Sequence, residues 1–413
     1  MTSKRECFAY ITLPDQVSPI TAGKLVLETT QSGENIGRFV YAKSYLSRSD
    51  AVEFDPVELK LTDRVYETVL SKGVFGALRD ALPDHWGRRL IEKRLNKPIL
   101  SELDYLLNLA DDQAGALGFG LSKTPLTPEQ KFNRVIDLER LQRIAGEIMR
   151  EANSTDSARL QIEELMLVKT SMGGARPKVV VSDGDALWLA KFNCDSDRWN
   201  YAVAEHATLT LARECGINAA QSKIEKVGDR EVLLVKRFDR EHTDKGYLRR
   251  RMISAMTALR IDDDCIDRNK WSYIALVEEL RKFSSFAKED AKELFRRMAF
   301  NALISNADDH PRNHAFIADG KWRLSPAYDL TPNPSISIER RDLAMVCGVQ
   351  GRFANRSNLL SECRRFLLEP SEAVEIIDKT TERVKNDWRK IARKAGLCER
   401  DCDVIKPAFA YDG

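Results

Sequence analysis

The sequence predicts an α+β chain in three parts. An N-terminal α+β subdomain occupies residues 1–123, a linker and helix 124–157, and a two-lobed core the rest, with a small β-rich lobe over 158–245 and a large helical lobe over 246–413. Three observations predict it. Short strand-like runs mix with helices over the first ~120 residues, an ordinary domain length. A strand, an Asp183-Gly184 turn and a second strand ending at Phe192 lead directly into a helix. From Trp271 onward the periodicity is almost wholly helical.

Length and composition set the bounds. The 413 residues are 43% hydrophobic and 31% charged, an ordinary globular mix. Lys plus Arg number 65 against 63 Asp plus Glu, a formal net charge of +2, a balance that argues neither for nor against nucleic acid; only a local patch could. No apolar run reaches membrane-spanning length, and the first residues lack the apolar core of a signal peptide. The eight cysteines are scattered with no C-x-x-C, and Cys398 and Cys402 stand as a lone i,i+4 pair. Free thiols and a cytoplasmic chain are expected.

Element by element, residues 8–13, 24–29 and 36–42 read as strands. Thr62 to Leu82 is expected to be helical up to the break at Pro83. Trp86 to Leu95 is a second helix, and Ser101 caps a third over Glu102–Leu109. Gly115 to Gly120 turns into a strand, and Thr124 to Glu129 reads as a linker. A helix over Arg134–Glu151 follows, then a polar loop to Ser157.

In the small lobe, Val179–Ser182 and Ala186–Phe192 form the hairpin. Period two puts Trp188, Ala190 and Phe192 on one face and Leu187, Leu189 and Lys191 on the other. A lysine ending an apolar row is costly unless its charge finds a partner. Glu205, on the inward stripe of a helix over Ala202–Cys215, is the candidate ion-pair partner of Lys191; a lysine snorkelling to solvent fits the pattern equally well. Before the hairpin, Gly173-Gly174 fits a plain turn or a backbone cradle for phosphate with Arg176 and Lys178 adding charge. Val232 to Asp239 is a buried strand that turns polar abruptly. Lys236, Arg237 and Phe238 sit where a nucleobase-binding hinge would lie, or at an ordinary strand end. Arg249-Arg-Arg251 reads as a solvated basic run.

The large lobe is helical over 271–283, 288–306 and two stretches after Pro370, the first capped by Ser371. Between them lies the stretch Ala299–Asn333. Asp308 precedes Asn313 by five positions, and Asp329 follows a short hairpin built from 314–317 and 322–324. This is the order that kinase-type phosphoryl transfer uses: an Asp to receive the hydroxyl proton, an Asn on the metal, then a second Asp on the metal. The fold class is therefore a protein-kinase-like bilobal core, with Pro326 and Pro332 bracketing Asp329 in a rigid excursion. Ser335 to Gly351 is irregular and a candidate lining of a substrate groove.

Taken together these pieces resemble the HipA family of bacterial toxin kinases along nearly the whole chain. The resemblance is carried by Arg79–Trp86 and Asp111–Leu117, then by Ser171–Lys178, Leu189–Lys191, Val235–Arg240, Asn306–Asn313 and Tyr328–Leu330, in order. It implies Asp308 as catalytic base and Asn313 and Asp329 as Mg²⁺ ligands. It implies ATP contacts from Lys191, from the loop Gly173, Gly174, Ala175, Arg176, Pro177 and Lys178, from Lys236, Arg237 and Phe238 at the adenine, and from His310, Asn313 and Tyr328. Ser171 falls where family members autophosphorylate and so eject that loop. Two departures stand out. Asp309 follows Asp308 where a small residue is common, leaving open which is the base, with spacing favouring Asp308. Arg176-Pro177 replaces the frequent Gln-Glu or Gln-Pro pair.

The expected function is an ATP- and Mg²⁺-dependent Ser/Thr protein kinase, the toxin of a toxin–antitoxin pair. The resemblance implies a translation-linked protein substrate of the glutamate-tRNA ligase type, and a small helix-turn-helix antitoxin of the HipB type through which DNA is mainly met. Two other readings share the motifs: a small-molecule kinase, and a non-catalytic co-repressor bound to its antitoxin.

Overall fold

A computed structural model describes residues 3–109, 112–127, 132–150, 176–334 and 340–409. Ser171, Gly173, Gly174 and Ala175 lie outside the described residues.

The chain opens with a five-stranded antiparallel sheet: β1 (Ser3–Ile11), β2 (Ile20–Thr29), β3 (Asn35–Tyr41), β4 (Tyr66–Thr68) and β5 (Leu117–Gly120), in spatial order β4-β3-β2-β1-β5. Helices α1 (Lys43–Leu46), α2 (Gly76–Asp80), α3 (His85–Leu95) and α4 (Glu102–Leu107) complete this module. Ser101 caps α4 as expected, in a reciprocal capping box with Asp104.

The helix expected over Thr62–Leu82 does not form as one element. Tyr66–Thr68 pairs with β3 instead, and only Gly76–Asp80 is α-helical. Ser71, Lys72 and Gly73 all take positive φ, which no helix continues through. The carbonyl of Gly73 lies so close to Gly37 that a Cβ there would sit 1.7 Å from it. Tertiary packing of two glycines overrides the local helical content.

The small lobe is a second five-stranded sheet: β6 (Asn133–Arg134), β7 (Lys178–Asp183), β8 (Ala186–Phe192), β9 (Ser222–Val227) and β10 (Arg230–Lys236), ordered β6-β7-β8-β10-β9. Helix α5 (Leu138–Arg150) and the helix after the hairpin, α6 (Tyr201–Glu214), belong to it. The predicted alternation of β8 holds: Ala190 and Phe192 pack with Val179, Val181, Val232 and Leu234, while Leu187 and Leu189 face the other way.

A short ribbon, β11 (Arg240–Thr243) and β12 (Gly246–Arg249), leads to the large lobe. That lobe holds the sheet β13 (Arg251–Ser254), β14 (Ala315–Asp319) and β15 (Lys321–Leu324), with helices α7 (Ala255–Ala258), α8 (Tyr273–Phe283), α9 (Ala287–Leu303), α10 (Arg356–Ser361), α11 (Pro370–Lys394) and α12 (Glu399–Ile405). Helix α11 is capped by Glu369, with Pro370 at its first position, rather than by Ser371. Residues 340–351 are irregular, but Leu343, Met345 and Cys347 are buried in the core and none of 340–351 lines the main cleft.

One apolar cluster runs unbroken from the N-terminal sheet (Ile11, Leu25, Phe39) through α8 and α9 (Leu276, Leu294, Phe295). A second binds α6 to α9, α11 and α12 through Leu209, Phe300, Val384 and Ile405. The architecture is α+β and kinase-like, with the N-terminal module fused to the large lobe.

Candidate active site

A cleft of about 670 Å³ opens between the lobes and the N-terminal module. Its small-lobe wall carries Leu189, Lys191, Val235, Lys236 and Phe238, and its large-lobe floor carries His310, Asn313, Tyr328 and Asp329.

Lys191 is the centre. Its Nζ lies 2.7 Å from Glu205 Oε1 and 2.8 Å from Asp329 Oδ1, so strand β8, helix α6 and the segment after β15 meet at one ammonium. Burial disfavours that charge, but Asp329 and Glu205 more than reverse it and hold the lysine protonated. Burial likewise pushes Asp329 up, and Lys191 more than offsets this, leaving the carboxylate below its ordinary range. Of the two sequence-level readings of Lys191, the paired one is realised.

Two devices aim Asp329. Ala327 pairs with the loop after α6, donating its N–H to Asn218 and accepting from Ala220. The Thr208 hydroxyl of α6 donates to the Leu330 carbonyl. Between these anchors Asp329 sits at φ +57, a left-handed conformation that a non-glycine residue holds only when its surroundings fix it.

The loop after α9 is equally fixed. Asp309 is buried and its Oδ2 lies 3.0 Å from His314 Nε2. Asp308 is exposed, and its carboxylate is held by no hydrogen bond or ion pair among the described residues. Its carbonyl accepts from Asn313 Nδ2 at 3.1 Å. The loop thus separates the two aspartates into one structural and one available carboxylate. With its nitrogen committed, Asn313 has its amide oxygen left for a cation. Asn313 and Asp329 give the hard oxygen donors that Mg²⁺ takes when substrate phosphates complete its shell. The donor set fits that ion.

An apolar slot adjoins this polar floor. Phe238 and Tyr328 face each other with ring centroids 5.8 Å apart, and Leu189, Val235 and Met252 line the same space. The slot suits a flat heteroaromatic base.

Four predicted nucleotide contacts have partners of their own within the chain. Arg176 is held bidentate by Asp197 at 2.8 Å and stacks over Tyr201, with its Cζ 3.8 Å from the ring centroid. Lys178 is buried, its Nζ 2.6 Å from Asp84 Oδ2, and Pro177 gives its carbonyl to the Phe192 N–H. Arg237 points its guanidinium into a buried knot with Asp239 and the carbonyls of Asp112 and Gln113, so only its backbone faces a ligand.

The sequence reading missed the N-terminal module's share of the wall. Ser71, Arg79, Asp80, Asp84 and Arg88 line the cleft, facing Asp262, Asp263 and Arg312. The signal was present: charges at 79, 80 and 84 interrupt an otherwise apolar run from Phe75 to Trp86.

Comparison with known proteins bears on this geometry. The description "HipA-like C-terminal domain" matches residues 170–388, and "HipA N-terminal domain" matches 19–120. The chain belongs to the HipA family. A curated HipA-family relative, the serine/threonine-protein kinase toxin HipA of Shewanella oneidensis, is 25% identical over 260 residues. That match covers 57% of this chain and 57% of the relative, so the chain spans little more than half the length of that relative. Among solved structures, HipA of Shewanella oneidensis MR-1 in complex with HipB and operator DNA superposes with a TM-score of 0.71 at 19% identity. It covers 97% of this chain and 96% of its own, and the HipA fold is therefore shared end to end.

Proposed function

We propose that the chain is an ATP- and Mg²⁺-dependent Ser/Thr protein kinase acting as a HipA-type toxin. The observation that carries this reading is the meeting of Lys191, Glu205 and Asp329 in a cleft that Asn313 also lines, beside an aspartate with a free carboxylate. The slot of Phe238 and Tyr328 takes the adenine, and Lys191 orients the phosphates. Asn313 and Asp329 hold Mg²⁺, which would neutralise phosphate oxygens when bound. Asp308 accepts the proton of the incoming hydroxyl, a role for which the buried Asp309 is unsuited.

The relative's name supports a protein hydroxyl as acceptor, and the family match supports a small HipB-type antitoxin as partner, with DNA reached mainly through it. The substrate class proposed is a translation-linked protein, with Ser171 as site of autophosphorylation. The deciding experiment is ³²P transfer from ATP by the intact chain and by Asp308→Ala. Loss of transfer with an unchanged melting curve supports the assignment, and full activity in the variant overturns it. Phosphorylation of metabolites but of no protein would favour the small-molecule kinase.

A further inference from the structure

The eight residues Arg79–Trp86 grip both lobes of the core. At one end Asp80 accepts three hydrogen bonds from the start of the large lobe: from the Ser254 N–H at 2.6 Å, the Ser254 hydroxyl at 2.7 Å and the Thr257 hydroxyl at 2.7 Å. Beside it Arg79, almost fully buried, donates to the Ile261 carbonyl at 2.7 Å. The grip reaches the catalytic loop directly, because the next residue, Ala255, donates its N–H to the His314 carbonyl.

At the other end the segment holds the small lobe. Asp84 pairs with Lys178 of β7 at 2.6 Å, with side-chain exposures of 6% and 3%. Trp86 donates its indole N–H to the Lys178 carbonyl at 3.2 Å and packs with Val179, Val181, Ala190 and Phe192. Lys178 is the cross-strand partner of Lys191, so this grip lands on the strand pair that carries the central ammonium.

The two grips are four residues apart, a span of at most about 14 Å even when fully extended. Pro83 removes one of the few soft torsions between them. The lobes also meet through α6 on α11. Hinge motion of one lobe against the other is a common mode of bilobal folds, and a second contact between the lobes restrains it.

We propose that Arg79–Trp86 is an interlobe tie, and that Asp80 and Asp84 are positioning residues that keep the cleft closed to the width nucleotide needs before nucleotide arrives. The tie itself rests on contacts alone; only its effect on catalysis rests on the kinase reading. Without it the closed state becomes a fraction of the population, and apparent nucleotide affinity falls by that fraction.

The test uses the full chain with spin labels introduced as non-natural residues at the exposed positions Glu139 on α5 and Asn269 in the large lobe. Interlobe distances are read by pulsed electron resonance in wild type, Asp80→Asn and Asp84→Asn, without ligand and with a non-hydrolysable ATP analogue plus Mg²⁺. The expected result is one narrow distribution in wild type under both conditions. The variants should broaden without ligand, narrow again when it is added, and bind the analogue at least about tenfold more weakly. Asp84→Glu should recover part of both. Unchanged distributions in both variants overturn the proposal. If either Asn variant fails to fold, Ser254→Ala decides by the same readout, since it removes one of the donors to Asp80, with the cap on Thr257, and leaves the Asp84–Lys178 pair intact. The distance readout needs no phosphoryl transfer, so an inactive wild type would sink the kinase reading while leaving the tie intact.

Discussion

The Lys191 ammonium bridges two carboxylates on different elements, Glu205 at 2.7 Å and Asp329 at 2.8 Å. The bridge is a structural joint as well as a chemical one. Lys191→Met should abolish phosphoryl transfer and leave Glu205 buried with no counter-charge. The expected loss of stability is roughly 3–5 kcal/mol, read from urea unfolding. Glu205→Gln is expected to spare the fold better and to lower kcat by about 10²–10³-fold, through a lysine free to leave its aim.

Asp308 and Asp309 should separate cleanly. Asp308→Ala is expected to lower kcat by about 10²–10⁴-fold, the range for a lost general base. Because the side chain is exposed, stability should stay within about 0.5 kcal/mol. Asp309→Ala removes the partner of buried His314 and should cost about 1–3 kcal/mol by thermal or urea melting. The reverse pattern would make Asp309 the base.

The metal site predicts a ligand dependence. Asp329→Asn and Asn313→Ala should each weaken binding of ATP with Mg²⁺ by at least about tenfold, since each loses a charge-assisted contact worth more than 1.4 kcal/mol. In EDTA Asn313→Ala and wild type should bind ATP alike. Calorimetry with and without the metal checks this.

Asp55 predicts a pH dependence of stability. The side chain is fully buried, and burial raises its pKa to about 6 although the N–H groups of Val57, Glu58 and Leu59 oppose the shift. Its folded pKa lies above the unfolded value near 3.9, so the folded state binds the proton more tightly. Its contribution is fully present below about pH 4 and is lost as pH rises through about 6. Urea midpoints of Asp55→Asn should therefore fall less between those pH values than those of wild type.

Gly37→Ala tests the packing that breaks the expected helix. The new Cβ would meet the Gly73 carbonyl, and the cost should be about 1–3 kcal/mol by urea unfolding, with activity kept in what remains folded.

The polar floor of the cleft was legible because its spacing is local. His310 and Asn313 share one loop with Asp308, which does not itself line the cleft, and Asp329 follows the next hairpin, so order along the chain stands in for position in space. Lys191 was legible as an oddity, a charge ending an apolar strand. The partners of Arg176 and Lys178 were not legible, for the opposite reason. These partners, Asp197 in one case and Asp84 in the other, lie 21 and 94 positions away, and a charge count near glycines cannot see them. The 62–82 stretch failed because Gly37 and Gly73 meet across the fold, a contact with no local trace. Asp80 and Asp84 show in the sequence only as charges within an apolar run; the residues they hold lie more than ninety positions downstream.

The knot formed by Arg237, Asp239 and Arg240 reaches further than the cleft. All three side chains are buried, and the two guanidiniums also hold the carbonyls of Asp112 and Gln113, while Gly115 donates its N–H to Asp239. Cutting the chain between residues 120 and 132 would separate two halves that each keep part of an unfinished ionic lattice. Such fragments should recombine when mixed, because the second half alone would keep two guanidiniums against the single carboxylate of Asp239, without the carbonyls that share them.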